Sequence, residues 1–188
     1  MRCDFINHNI DIIEGTEQSS YFYFTPVIVS SLYKITWDGI KSTGDVFSIE
    51  EGDVESFLAY FLFKYFDEEL VYNKERFDGV YLSGFEWWQD DNFFTYDQLE
   101  AMCEDIEECA ELLKYDFENS SLAGVKERFS IFYMCNSEDV DYKNCDTSDA
   151  AIKRHIDVVI VFYNQFVTRL RKMMRDNPET NLISITGP

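Results

Sequence analysis

The side chains whose types and spacing could support chemistry in this chain are mainly carboxylates. A column of acids recurs every three or four residues, one helical turn apart, at Glu100, Glu104, Glu108 and Glu111. Paired carboxylates can act as general acid and base, or hold a divalent cation. The chain has 36 acidic residues, however, so some pairs must lie close together by chance. Closeness alone therefore does not indicate catalysis.

Other catalytic and metal-binding patterns are missing from the sequence. The two histidines, His8 and His155, belong to no H-E-x-x-H motif, and the five cysteines form no C-x-x-C pair. Residues 138–146 have the acidic character of a calcium loop, but Lys143 occupies a ligand position and the central glycine is missing. Neither a phosphate-binding loop nor a nucleophile elbow occurs. The sequence predicts a protein that is not an enzyme and has no catalytic residue, metal or cofactor.

The charge distribution favours binding instead. Residues 86–118 carry twelve acids and one base, a net charge of −11 out of −20 for the whole chain. Like charges one turn apart destabilise a helix by a few tenths of a kcal/mol per pair, so a basic partner is the simplest reason to keep them. The same charge argues against partners that are anionic themselves, such as nucleic acid or acidic membranes.

Aromatic side chains lie directly before the acidic column. Rings that fill pockets, surrounded by charges that steer, are typical of a protein–protein hot spot. The alternative is that the rings are ordinary core and the acids a solvated face. We predict the following partner-binding residues: Trp87, Trp88, Asp90, Asp91, Glu100, Glu104, Glu107, Glu108 and Glu111.

The sequence of the N-terminal part of the chain predicts strands followed by a helix. Residues 21–33 are dense in aromatic and β-branched side chains, and Pro26 among them is expected at an edge or a bend. Asp53 is expected to cap a helix that runs to about Phe66. We expect two further strands, at residues 80–82 and 129–134.

Two longer helices follow. Thr95 and Gln98 form a capping box that opens the acidic helix, whose apolar face extends from Leu99 to Phe117. A second helix is expected from Thr147 or Ser148 to about Asp176, as a core helix rather than a coiled coil. Residues 182–186 could form a last strand.

Basic side chains gather at the end of the last predicted helix: Arg169, Arg171, Lys172 and Arg175. The helix dipole favours cations there, and that is the interpretation we prefer. The other interpretation is that they contact the protein's own acidic helix.

These patterns predict an α+β fold. We expect a single domain over residues 1–188, strand-rich over 1–50 and helix-rich over 53–176. In it a long C-terminal helix and an acidic amphipathic helix pack with a small antiparallel sheet. Reduced cysteines, no signal peptide and no apolar run of about 20 residues favour a cytoplasmic protein.

Several local strings resemble the immunity proteins of bacterial polymorphic toxin systems, and those of contact-dependent growth inhibition above all. They are residues 83–87, the entry into the acidic helix at 94–96, residues 162–166, Met173 with Met174, and the ending at 183–188. The resemblance implies a tight complex with one cognate toxin, often a basic nuclease domain. The inhibitor would plug the active site or bind beside it. Such proteins vary widely in fold, so the resemblance assigns no functional residue.

Two other functions remain open from the sequence. One is an adaptor or regulatory module that binds another basic protein within a larger assembly. The other is a small hydrolase that uses carboxylates, with or without a divalent cation.

Overall fold

A six-stranded antiparallel sheet forms one layer of the protein. The computed structural model describes residues 12–15, 21–29, 39–66, 92–115, 128 and 156–187. Its strands are β1 (Ile12–Glu14), β2 (Tyr21–Val29), β3 (Ile40–Ser42), β4 (Phe47–Glu50), β5 (Asn92–Thr95) and β6 (Leu182–Thr186). Their order is β1-β4-β2-β6-β5, and β3 also pairs with β2.

The longest strand, β2, lies inside the sheet, because β6 pairs on one side of it and β3 and β4 pair on the other. Pro26 is therefore not at a sheet edge, and the pairing with β6 runs through it in unbroken register, from Tyr23 opposite Thr186 to Val27 opposite Leu182. The Pro26 carbonyl accepts a hydrogen bond of 3.3 Å from the backbone N–H of Thr43, between β3 and β4. The proline nitrogen faces the same way, so the β6 ladder loses no hydrogen bond.

The main hydrophobic core lies between one face of the sheet and the helices. Phe24 and Phe47 stack with ring centroids 4.7 Å apart, and Phe166 approaches Phe24 edge-on at 5.5 Å. On the opposite face of the sheet a smaller buried cluster consists of Val27, Val29, Phe93 and Leu182. Both faces of the sheet are therefore apolar, which explains the nearly continuous hydrophobic runs in β2 and β6.

The helical run that follows β4 starts earlier than the sequence predicts. It consists of an α-helical turn at Glu51–Asp53, a π-helical turn at Val54–Leu58 and an α-helix at Ala59–Tyr65. The prediction of Asp53 as N-cap is wrong, because β4 ends at Glu50 and the helix begins at the next residue. Its predicted end near Phe66 is confirmed.

The acidic helix spans Tyr96–Tyr115, and its predicted capping box is confirmed. The Gln98 side chain accepts a hydrogen bond of 2.7 Å from the Thr95 backbone N–H, and the Thr95 hydroxyl accepts one of 3.2 Å from the Gln98 N–H. Two backbone donors at the start of the helix are thereby satisfied. Phe117 and the predicted end of this helix lie outside the described residues.

The last helix spans Ile156–Asp176 and lies in the core, as predicted. Phe162, Tyr163 and Phe166 are almost fully buried, and the Tyr163 hydroxyl donates a 2.9 Å hydrogen bond to the carbonyl of Phe57. Val161 is 53% exposed, so one side of the helix faces solvent. The predicted start at Thr147 or Ser148 lies outside the described residues.

Helices packed on a small antiparallel sheet confirm the predicted α+β class. The strand at Leu182–Thr186 is also confirmed, as β6. The strands predicted at residues 80–82 and 129–134 lie outside the part of the chain that the structure describes. Within that part, no helix has the length and apolar character needed to cross a bilayer.

Candidate functional site

The acidic helix has one buried face and one charged face. Its buried face packs into the main core through seven side chains: Leu99, Met102, Cys103, Ile106, Cys109, Ala110 and Leu113. A helix turns by about 100° per residue, so the acids are spread around the remaining surface rather than stacked on a single line. What each acid contacts therefore decides whether a partner can use it.

Arg171 of the last helix holds two of the predicted site residues. Its guanidinium donates to Glu100 at 2.7 Å and, through two nitrogens, to Glu107 at 2.6 and 3.1 Å. These hydrogen bonds raise the pKa of Arg171 above its ordinary value. The contact joins the last helix to the acidic helix and offsets one of the two negative charges on this flank of the charged face.

Asp105 occupies the other flank, and the sequence analysis missed its role. Its carboxylate is only 8% exposed and accepts hydrogen bonds from the Lys64 ammonium at 2.6 Å and the Tyr65 hydroxyl at 3.2 Å. Arg128 forms an ion pair with its other oxygen at 3.4 Å. Two signals in the sequence could have placed Asp105 at the core boundary, since it follows Met102 by three residues and precedes Cys109 by four.

Between these flanks lies the acidic strip, which we define as Asp97, Glu104, Glu108 and Glu111. All four side chains are exposed. Helical geometry places them within about 60° of one another around the axis and along about 21 Å of its length. No ion pair or hydrogen bond engages their carboxylates among the residues that the structure describes. Within the described part of the chain, the strip is therefore a line of unpaired negative charge between two flanks whose carboxylates are ion-paired.

The predicted site thus divides into three groups. Glu104, Glu108 and Glu111 belong to the acidic strip, whereas Glu100 and Glu107 are bound by Arg171. Trp87, Trp88, Asp90 and Asp91 lie outside the described residues.

The aromatic side chains nearest the acidic helix are core residues. Phe93 and Phe94 are 1% and 0% exposed. Tyr96 is partly buried, and its hydroxyl donates to the carbonyl of Asn177 at 3.1 Å and contacts Thr180. For these three rings the structure supports the alternative, ordinary packing, over a hot spot.

The basic end of the last helix makes more internal contacts than a dipole role requires. Arg169 forms hydrogen bonds of 2.7 Å to both oxygens of Glu14 and one of 2.9 Å to Asp45. Its guanidinium also lies 5.0 Å from the centre of the Phe47 ring. Together with the Arg171 contacts, this shows that the interpretation we preferred is incomplete, and that contact with the acidic helix occurs through Arg171.

The described thiols are unsuited to act as nucleophiles or metal ligands. Cys103 and Cys109 are free and buried, and burial raises the pKa of Cys103 to about 12 and that of Cys109 to about 11. Both are therefore protonated at neutral pH, whereas the thiolate is the reactive form. Among the described residues, no three acidic, histidine or cysteine side chains are grouped closely enough to hold a metal ion.

Comparison with known proteins gives no relative on which to base a function. No protein family, curated protein or solved structure matches this chain significantly.

Proposed function

We propose that this protein binds a basic partner protein along the acidic strip and neutralises it. The partner we propose is a cognate bacterial toxin domain, a basic nuclease, held in a one-to-one complex in the cytoplasm. The protein would then be an immunity protein of a polymorphic toxin system, of the contact-dependent growth inhibition type.

The proposal rests on one observation: cations of the same chain pair with some carboxylates of the acidic helix and not with others. Arg171 forms ion pairs with Glu100 and Glu107, and Lys64 and Arg128 form ion pairs with Asp105. The exposed acids between these two flanks receive no such partner within the described part of the chain. Repulsion between Glu104 and Glu108, one turn apart, costs a few tenths of a kcal/mol, and a basic partner would remove it.

The same ion pairs indicate which of the predicted residues would contribute most to binding a basic partner. Glu100 and Glu107 already share a guanidinium, so an external lysine or arginine would gain less from them. Glu104, Glu108 and Glu111 have no cationic partner among the described residues and can meet such a side chain directly. We therefore propose these three as the principal charged contacts, and Trp87 or Trp88 stays our prediction for the apolar anchor.

We propose that the protein inhibits the nuclease by competing with nucleic acid for its basic side chains. A nuclease binds phosphates with lysine and arginine side chains, and a row of carboxylates competes for the same groups. Long-range attraction between opposite charges also speeds association, to about 10⁸ M⁻¹s⁻¹ or more at low salt. Fast capture is useful to an inhibitor of a toxin that is lethal in small amounts.

Co-expression with the product of the gene immediately upstream tests this function. We expect the two chains to co-purify in a one-to-one ratio at about 0.15 M salt, and the upstream product alone to stop growth. Purification of the chain alone beside a harmless neighbour would contradict the immunity function. Weak binding to several basic proteins instead would favour the adaptor.

A further inference from the structure

A groove separate from the acidic strip runs between β1 and the last helix, with a volume of about 550 Å³. One wall is formed by Ile12 and Glu14 of β1, and the other by Gln165, Thr168 and Lys172 of the last helix. We call it the edge groove. Its size is within the range of ligand-binding clefts.

The backbone of β1 directs hydrogen-bonding groups that no described strand pairs to the outer edge of the sheet. Ile12, Ile13 and Glu14 lie opposite Ile49, Ser48 and Phe47 of β4. The Gly15 N–H donates to the Val46 carbonyl at 3.2 Å. In an antiparallel ladder, hydrogen-bonded and non-hydrogen-bonded residues alternate. Ile13 therefore bonds toward β4, and Ile12 and Glu14 point their N–H and C=O groups away from it.

The two residues with outward backbone groups are the same two residues of β1 that line the edge groove. β1 lies at the end of the strand order, and no described strand pairs with its outer side. The groove therefore offers two donors and two acceptors at the spacing of an extended chain. An added strand is the ligand whose backbone matches that pattern.

The charges around the groove indicate which side chain such a strand would carry. Arg169, which also lines the groove, already donates hydrogen bonds to Glu14 and Asp45. Lys172 is exposed, and no carboxylate lies within ion-pair distance of it among the described residues. In a chain of net charge −20, this is a cation left available beside an open strand edge.

We propose that the edge groove binds an extended segment of a partner protein, which adds to β1 as a further strand and places a carboxylate against Lys172. The segment exchanges backbone hydrogen bonds with Ile12 and Glu14, while Gln165 and Thr168 contact its side chains. This surface is independent of the acidic strip. Replacing Glu104, Glu108 and Glu111 by Gln must leave it intact, so the two proposals can fail separately.

Hydrogen exchange of the free protein, followed by NMR, tests the strand edge without any substitution. The amide protons of Ile12 and Glu14 should exchange at least tenfold faster than those of Ile13 and Gly15. Slow exchange at Ile12 and Glu14 would mean that another part of the chain already covers the edge, and would overturn the proposal.

Selection of displayed random heptapeptides on the full-length protein tests the ligand. We expect extended peptides with an acidic residue, and protection of the Ile12 and Glu14 amides when a selected peptide binds. Ile12→Pro removes one outward N–H without touching the β4 ladder and should weaken binding at least tenfold, whereas Ile12→Val should bind normally. Lys172→Ala should weaken binding of acidic peptides only. Failure to select a peptide, or equal binding by the proline variant, would refute the proposal.

Discussion

Replacing Asp105 by alanine should lower the free energy of unfolding by about 3 kcal/mol. The Asp105 carboxylate is 8% exposed, so the substitution removes a buried hydrogen-bond acceptor rather than a surface charge. Lys64 is 44% exposed and can turn to water, and the exposed part of that ion pair contributes about 1 kcal/mol or less. The Tyr65 hydrogen bond contributes about 1 kcal/mol. Arg128 is 16% exposed, and leaving it without its carboxylate costs about 1–2 kcal/mol, below the range for a fully buried pair.

Urea unfolding at neutral pH, followed by circular dichroism, measures this loss. Glu104→Ala is the matched control, because Glu104 is the preceding residue, has the same charge and is exposed; it should change stability by about 0.5 kcal/mol or less. Asp105→Asn keeps the side-chain volume and one acceptor, and should fall between the two. A loss below about 1 kcal/mol for Asp105→Ala, or one equal to that of the control, would refute the assignment of Asp105 as a buried anchor.

Three further predictions follow from the described contacts. Thr95→Ala removes half of the capping box and should lower stability by about 1 kcal/mol in the same urea experiment; no change would mean that the hydrogen bonds to Gln98 are not formed. Arg169 lowers the pKa of Glu14 below its ordinary value, so the stabilisation from Glu14 is complete above that value and is lost as the pH falls through the lowered pKa. When the pH falls below about 4.5, the Glu14→Gln variant should therefore lose less of its stability than the wild type does. Parallel acid unfolding curves for the two proteins would contradict the contact between Arg169 and Glu14. Native protein treated with iodoacetamide at about pH 8 should stay unmodified at Cys103 and Cys109 in peptide mass maps, and rapid alkylation there would contradict their burial.

The elements that the sequence predicted correctly are those specified by nearby residues. Thr95 and Gln98 are three residues apart, so their capping box could be recognised directly. The amphipathic pattern of the acidic helix and the apolar run of Leu182–Thr186 are equally local. Asp53 misled the prediction because a cap residue is favoured wherever a helix starts after a loop, and here β4 leads into the helix without one.

The contacts that divide the candidate site are distant in sequence and could not be predicted from local spacing. Arg171 lies 64 residues from Glu107, and Arg169 lies 155 residues from Glu14. A column of glutamates has the same pattern whether or not an arginine from another helix neutralises part of it. Only the packing of the last helix against the acidic helix separates Glu100 and Glu107 from the acids of the strip.

The most direct test of the central claim is the association rate between this protein and the partner recovered by co-expression. The strip variant, Glu104→Gln with Glu108→Gln and Glu111→Gln, is compared with a control of equal charge, Asp157→Asn with Asp176→Asn and Glu179→Gln. At low salt the strip variant should associate about tenfold more slowly than the wild type, with a weaker salt dependence, and the control should stay near the wild-type rate. Equal rates for the two variants would show that the acidic strip is not the docking surface.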